Sequence, residues 1–423
     1  MSSHNRNPRG KNQHVEDPEF DERLKTILFE YHKAGKTNNN DIAARLKSEH
    51  NISISSSTVK RRRKLWNLKG SAATERQMSD AAIEQLVVKK MDQDEAKRSG
   101  VRTICAKIKF DDGVHLKRDT VHRVMLAHDE ASFAARDPTA KKIFRVPKPI
   151  LGVHERWSGD GHDKLKKIGF PIWMLVDEGS SRILKAWVVP DNRLGDTVVY
   201  CFLDLVEELG GVPMQTTTDC GSETTLLFGI VKAIREVFHC DLDLPGEAYR
   251  YLRSIHNVSV ERTWRTLRHD FGDSTTMAFQ QGILDGFYNP DDLDQYELCQ
   301  WLWSRVVQKD LDNWVKFRNG VVMRKQNDKL GPSGMSRDDA YFMPETWGSV
   351  NCLLPVDVQV VHQLKEELGG ETLMAFTSPE FSAKAELAFE ALQAAHGAIT
   401  VERENAWIVF KALLPFVFPE RFA

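Results

Sequence analysis

Three carboxylates in this chain of 423 residues sit where acids need a reason. In HNVSVERTWRTLRHDF, residues 256–271, Glu261 is followed by Arg262, Arg265 and Arg268. A salt bridge to Arg265, four residues on, would explain it on a helix surface. The other reading needs two further acids that Glu261 meets in space. ERWSGDGHDKL supplies Asp160, and TTDCGSET supplies Asp219. Three carboxylates brought together repel unless a cation lies between them. An all-oxygen donor set suits Mg²⁺ or Mn²⁺. With Arg262, Arg265 and Arg268 on the same helix to hold phosphate, the combination fits phosphodiester chemistry.

The elements that must position these acids are legible from residue 155 onward. ERWSGDGHDKL predicts a short strand ending near Asp160, and FPIWMLVDEGSS an apolar strand with a turn at Glu178, Gly179 and Ser180. RILKAWVVPDNR reads as its hairpin partner. GDTVVYCFLDLVEELGG is an amphipathic helix, VPMQTTTDCGSE a strand ending at Asp219, and TTLLFGIVKAIREVF a second helix. Residues 240–254 have no clear pattern, and the helix with Glu261 follows. This order suits a mixed sheet with helices against it. In such sheets, sites form beyond the carboxyl ends of strands. Adjacent strands would therefore set Asp160 beside Asp219, with Glu261 delivered by a helix packed on that edge.

The front of the chain differs in charge. Residues 1–150 carry 31 Lys and Arg against 20 Asp and Glu, and the remainder 27 against 40. A basic half suggests a polyanionic partner. Residues 1–20 read as a disordered tail. Residues 21–70 predict three helices: one with Leu24, Ile27, Leu28 and Tyr31 on a single face, one capped by Asn or Asp, and a serine-capped basic one. That is a helix-turn-helix arrangement whose third helix would enter a DNA groove, with Lys60, Arg61, Arg62, Arg63 and Lys64 reaching phosphates and bases. Residues 78–133 predict a second helical DNA-binding module, with Lys117, Arg118 and Arg123 at its third helix. SSTVKRRRKLW and KRDTVHRVMLA share a weak internal likeness. Residues 134–153, rich in Pro and base, read as a linker.

Composition sets further bounds. Hydrophobic residues make up 41%, which suffices for two or three cores. No apolar run is long enough to span a membrane, and the first residues lack the apolar stretch of a signal peptide. Six cysteines without a CxxC pair predict reduced thiols and no zinc cluster. These features predict an intracellular protein.

WSGDGHDKLKKIGFPIWMLVDEGSSRIL, TTDCGSET and HNVSVERTWRTLRHDF together resemble the integrase core of retroviral-type integrases and DDE transposases, most closely the transposon-derived single-gene proteins of eukaryotes. The likeness is clearest over residues 157–271 and weaker to about residue 347. It implies an RNase H-like fold, a mixed five-stranded sheet with flanking helices, over 154–347. It implies a triad of Asp160, Asp219 and Glu261, catalytic and binding two Mg²⁺ (or Mn²⁺) ions. The gaps are 58 and 41 residues, the second somewhat longer than in retroviral integrases. The HHCC zinc module of retroviral integrases has no counterpart, so no zinc is expected and the helix-turn-helix modules stand in its place. The partner implied is double-stranded DNA, both element ends and target, with a homo-oligomer as a further expectation. DNA work in a eukaryote would place the protein in the nucleus, and KRRRKL could double as the address.

Several neighbours invite misassignment. Glu223 reads as a helix-start residue favoured by the dipole, and Asp163 as flanking. His162 and His256 read as hydrogen-bonding supports, and Lys164 as a phosphate contact. The tryptophans of residues 293–320 lie at helical spacing, as core residues do. Residues 351–423 predict a mainly helical C-terminal extension without a catalytic pattern. The function expected is metal-dependent DNA cleavage and strand transfer. The alternatives are a domesticated DNA-binding protein without integration activity, and a nuclease of RNA–DNA hybrids.

Overall fold

The computed structural model describes residues 18–95, 97, 99–129, 151–242, 246–252, 258–326 and 329–422. Most of the expected tail, most of the linker and His256 lie outside them. The chain forms two compact units: Met1–Val87 with Val101–Val124, and Val88–Gly100 with Met125–Ala423.

In the first unit, α1 (Pro18–Lys33), α2 (Asn39–His50) and α3 (Ser56–Leu65) enclose Leu24, Leu28, Ile42, Leu46 and Val59. The Asn38 side chain caps α2 by accepting from the Asn40 N–H, and Ser55 caps α3 by accepting from the Thr58 N–H. Then come the short α4 (Ser71–Glu75), which the sequence pattern had not suggested, α5 (Asp80–Asp92), α6 (Val101–Asp112) and α7 (Arg118–His128). The two helical sets meet within this unit. Helix α1 packs on α6, and the His32 ring stacks on His115 at 4.0 Å between centroids. Burial pushes His32 down to about 4, aided by His115 and Arg63.

The second unit opens with β1 (Gly152–Val153), β2 (Arg156–His162), β3 (Ile172–Asp177) and β4 (Ile183–Val188). Helix α8 (Gly195–Leu209), β5 (Gly211–Val212), β6 (Gln215–Thr218), α9 (Thr225–His239) and β7 (Tyr249–Tyr251) follow. The main sheet runs β4-β3-β2-β6-β7, with β2, β3 and β4 antiparallel and β2, β6 and β7 parallel. It is thus a mixed five-stranded sheet. Its fifth strand, Tyr-Arg-Tyr, lies in the stretch where the sequence showed no pattern.

Every residue of β3 is buried, because both faces of the sheet are covered. Trp173 and Leu175 meet α8 and α9 through Phe202, Val206 and Leu227. Ile172, Met174 and Val176 meet the opposite layer. That layer holds α10 (Val258–Leu267), a π turn at Arg268–Gly272, α11 (Asp273–Leu284) and α12 (Leu293–Gly320). Trp301, Trp303 and Trp314 of α12 are buried, as core spacing predicts.

The remaining elements are α13 (Arg337–Phe342), β8 (Val350–Asn351), β9 (Leu354–Pro355), α14 (Val358–Leu368), α15 (Pro379–His396) and α16 (Ala406–Val417). The C-terminal extension joins the sheet domain. β8 pairs with β1 and β9 with β5, while Phe381, Leu392, Trp407 and Phe410 share a core with α10 and α12. Two side chains of α12 also close the free edge of β4. The Val188 N–H donates to Gln308 Oε1 at 2.7 Å, and Gln308 Nε2 donates to the Ala186 carbonyl at 3.1 Å. Asn319 does the same for both backbone groups of Ile183. An edge strand left open invites pairing with another chain, and these amides occupy it.

Candidate active site

Strand register brings the first two acids together. In the parallel pair of β2 and β6, Trp157 lies opposite Thr216 and Ser158 opposite Thr217. Continued by two residues, this register sets Asp160 opposite Asp219. Side chains alternate along a strand, so Asp160 shares the face of Ser158, and Asp219 that of Thr217. The Ser158 and Thr217 hydroxyls are 3.0 Å apart on that face. It is the face on which α10 packs.

Helix α10 is anchored by Val260, Trp264 and Leu267, all buried. Trp264 does more than fill space. Its indole Nε1–H donates to Asp160 Oδ2 at 2.8 Å, while Asp160 Oδ1 accepts from the Gly161 N–H at 2.9 Å. The His162 ring lies flat on the Trp264 ring, 4.6 Å between centroids and 9° from parallel. Trp264 is therefore held from one side while it orients the carboxylate. It stood in the quoted stretch, three residues after Glu261 and so on a neighbouring part of the helix face, but its role had not been read. The sequence signal was this spacing.

The charges of Asp219 and Glu261 both act on the Asp160 carboxyl. The Asp160 carboxyl is pushed up to about 7. Burial is the main cause, and the charges of Asp219 and Glu261 add to it. The Trp264 and Gly161 N–H groups pull the other way. Asp219 is also raised, by burial first and then by Glu223. Glu261 is exposed, and among the described residues no ion pair joins it to Arg265. The salt-bridge explanation for Glu261 thus has no support in the geometry.

Glu223 sits close to Asp219, and its carboxylate lies where a Cβ on Gly221 would have to go. Its charge acts on the Asp219 carboxyl. Asp163 is drawn outward by Arg193 at 2.5 Å and by Asn192 at 3.0 Å. Burial, Lys164 and Arg268 lower His162 to about 4, against the opposing pull of Asp163.

The donor chemistry fits a hard divalent cation. Each Asp160 oxygen accepts one N–H, which leaves further lone pairs on both, and the only charges acting on that carboxyl from the cluster are negative. As the side chains stand, no three His, Cys, Asp or Glu among the described residues are close enough to hold a metal together.

The basic residues divide by partner. On α10 and the following turn, Arg262 and Arg265 are exposed, and Arg268 is 3.4 Å from Asp273. Lys164 is exposed on the 3-10 turn after β2. On α3, Lys60, Arg61 and Lys64 point to solvent. Arg62 instead forms a two-pronged pair with Asp21, at 2.7 and 2.6 Å. Arg63 donates to the Thr37 carbonyl and to Asn39. At the start of α7, Lys117 is held by Glu75 through both its backbone N–H and its ammonium, whereas Arg118 and Arg123 are exposed.

Among the described residues, no helix is long and apolar enough to cross a membrane. Residues 143–335 match the family model of the integrase core domain. No curated protein matches the chain.

Proposed function

We propose that this chain, whose residues 143–335 match the family model of the integrase core domain, belongs to the integrase and DDE transposase superfamily and is a DNA integrase or transposase. Its reaction is metal-dependent DNA cleavage and strand transfer. The observation that carries this reading is the strand register that brings Asp160 opposite Asp219 on the face where α10 packs, with the charges of Asp219 and Glu261 both acting on the half-buried Asp160 carboxyl.

In this reading Asp160, Asp219 and Glu261 would hold Mg²⁺ or Mn²⁺, two ions as the family resemblance implies. The metal would supply charge neutralisation at the phosphate and activation of a water or 3′-hydroxyl. The protein's own part is positioning. Trp264 and Gly161 fix the Asp160 carboxylate, and β6 fixes Asp219 one residue past its last paired position. Glu261, on the first turns of a helix anchored by Val260 and Trp264, completes the set from the solvent side. Arg262 and Arg265 lie beside it to bind the DNA backbone. The three-helix arrangement with α3, and the set with α7, are the helix-turn-helix modules that would bind double-stranded DNA. Their exposed cations are Lys60, Arg61, Lys64, Arg118 and Arg123.

The test is joining of labelled duplex ends to a plasmid by the purified full chain, with Mg²⁺ or Mn²⁺. Joined products support the enzyme. Tight duplex binding without cleavage or joining, when the cognate ends are supplied, supports a domesticated DNA-binding protein. Cleavage of an RNA–DNA hybrid alone supports the nuclease reading.

A further inference from the structure

The Asp219 peptide lies where the β6 ladder ends, so the sheet alone does not fix it. The strand pairs with β7 as far as Thr218, whose carbonyl still accepts from the Leu252 N–H at 2.8 Å. One residue on, the Asp219 carbonyl accepts from hydroxyls instead. Thr218 Oγ1 donates to it at 2.9 Å, and Thr224 Oγ1, which donates to the Gly221 carbonyl at 2.8 Å, lies 3.3 Å from it. The Thr218 hydroxyl is in turn 2.5 Å from the Tyr249 hydroxyl of β7. A threonine hydroxyl has one proton, and that of Thr218 goes to Asp219, so Tyr249 is the donor of this pair. A directed chain results, from the Tyr249 O–H to Thr218 and from Thr218 to the Asp219 carbonyl.

These hydroxyls stand on the far face of the sheet from the acids, because consecutive side chains of a strand point to opposite faces. Thr218 and Thr224 are fully buried, and Tyr249 is 1% exposed within the core that α8 and α9 cover. The Phe228 ring stands edge-on to the Tyr249 ring at 5.5 Å, and the Tyr251 ring lies 5.2 Å from it, which holds the phenol in place. Burial pushes the Tyr249 phenol up, so it keeps its proton and remains a donor. A plainly structural reading is that buried hydroxyls satisfy a buried carbonyl. A carbonyl has two lone pairs, and the two threonines suffice for them. The Tyr249 hydroxyl adds no bond to that carbonyl. It adds direction: by donating to Thr218 it leaves the threonine proton to face Asp219, and hydrogen bonds in such a chain strengthen one another.

We propose that Tyr249 is a positioning residue for the acidic pocket: acting through Thr218, it fixes the Asp219 peptide and with it the direction of the Asp219 carboxylate. The inference rests on the reading of Asp219 as a metal ligand. It makes β7, at the sheet edge, part of the site, although Tyr249 stands on the opposite face. Partners that orient a metal ligand from outside are typically worth about 10–100-fold in metal affinity.

The test is Mn²⁺ binding to the full chain, read from the free-ion signal by electron paramagnetic resonance, without DNA and without turnover. Tyr249→Phe removes one hydroxyl and keeps the ring, and its Mn²⁺ affinity should fall about 10-fold. Tyr251→Phe, the same change two residues along β7, should bind as the wild type does. Thr218→Val should match Tyr249→Phe, whereas Thr218→Ser, which keeps the hydroxyl, should retain most of the wild-type affinity. Where Tyr249→Phe fails to fold, the two Thr218 variants decide the matter. Asp219→Asn is measured beside them. Wild-type affinity in folded Tyr249→Phe or Thr218→Val, with Asp219→Asn weakened, would overturn the positioning role alone. Equal losses in Tyr249→Phe and Tyr251→Phe would also overturn it, since they would assign the effect to strand packing. No Mn²⁺ binding by the wild type, or undiminished affinity in Asp219→Asn, would overturn the metal reading of the pocket and this proposal with it.

Discussion

Replacing Asp160 with Asn should change the pH dependence of stability in a calculable way. The Asp160 carboxyl is pushed from an ordinary 3.8 up to about 7. A raised folded-state value means that the folded protein holds this proton more tightly than the unfolded chain does. Between those two values the unfolded chain has lost the proton and the folded protein retains it, so stability falls as pH rises. From about pH 5 to about pH 8.5 the wild type should lose about 2 to 3 kcal/mol that the Asp160→Asn variant does not. The Asn side chain has the same shape, but its amide faces one of the two N–H donors, a cost of about 1 kcal/mol that is independent of pH. The variant should therefore gain on the wild type as pH rises. Urea unfolding of both proteins at each pH, without metal, measures the difference. A gap between the two that stays constant across this range would refute the reasoning. It would mean that Asp160 ionises as freely in the fold as in water. Adding Mg²⁺ or Mn²⁺ at the higher pH should stabilise the wild type and leave the variant nearly unchanged.

Five further substitutions probe the pocket, the sheet edge and α3. Trp264→Phe keeps the apolar bulk but removes the N–H to Asp160, a charge-assisted bond of about 1.5–3 kcal/mol. Strand transfer should fall severely, while DNA binding without metal stays close to wild type. Gln308→Ala strips the edge of β4 of partners for Val188 and Ala186, and should cost about 1–3 kcal/mol in denaturant unfolding. The variant should also self-associate more at high concentration, as judged by light scattering. On α3, Arg61→Gln and Lys64→Gln should weaken duplex binding and flatten its salt dependence without changing the melting temperature. Arg63→Gln should lower the melting temperature, because its guanidinium ties α3 to Thr37 and Asn39.

The sequence was most readable where a short pattern repeats a physical constraint. Apolar runs such as IWMLV mark a strand buried on both faces, and Asp219 at the end of TTTD follows from where β6 must stop. The face of α1 was legible for the same reason. What could not be read was pairing at a distance. Arg62 and Arg63 look like neighbours of Arg61, but Asp21 and Thr37, far away in sequence, turn them inward. Lys117 is claimed by Glu75 across a gap of 42 residues. β7 escaped notice because three residues at a sheet edge carry too little pattern to stand out. The C-terminal helices read as an added module because their amphipathic faces do not say what they pack on. Trp264 stood in the quoted stretch without a role, and only the fold shows that its N–H meets Asp160.

In the proposed active site Glu261, and not Glu223, completes the carboxylate set with Asp160 and Asp219. Both glutamates lie near the cluster, Glu261 acting on Asp160 and Glu223 on Asp219. Strand transfer by Glu261→Gln and Glu223→Gln, assayed side by side with Mg²⁺ or Mn²⁺, separates them directly. Joined products should vanish in Glu261→Gln and persist in Glu223→Gln. Loss of products in Glu223→Gln with full activity in Glu261→Gln would contradict it.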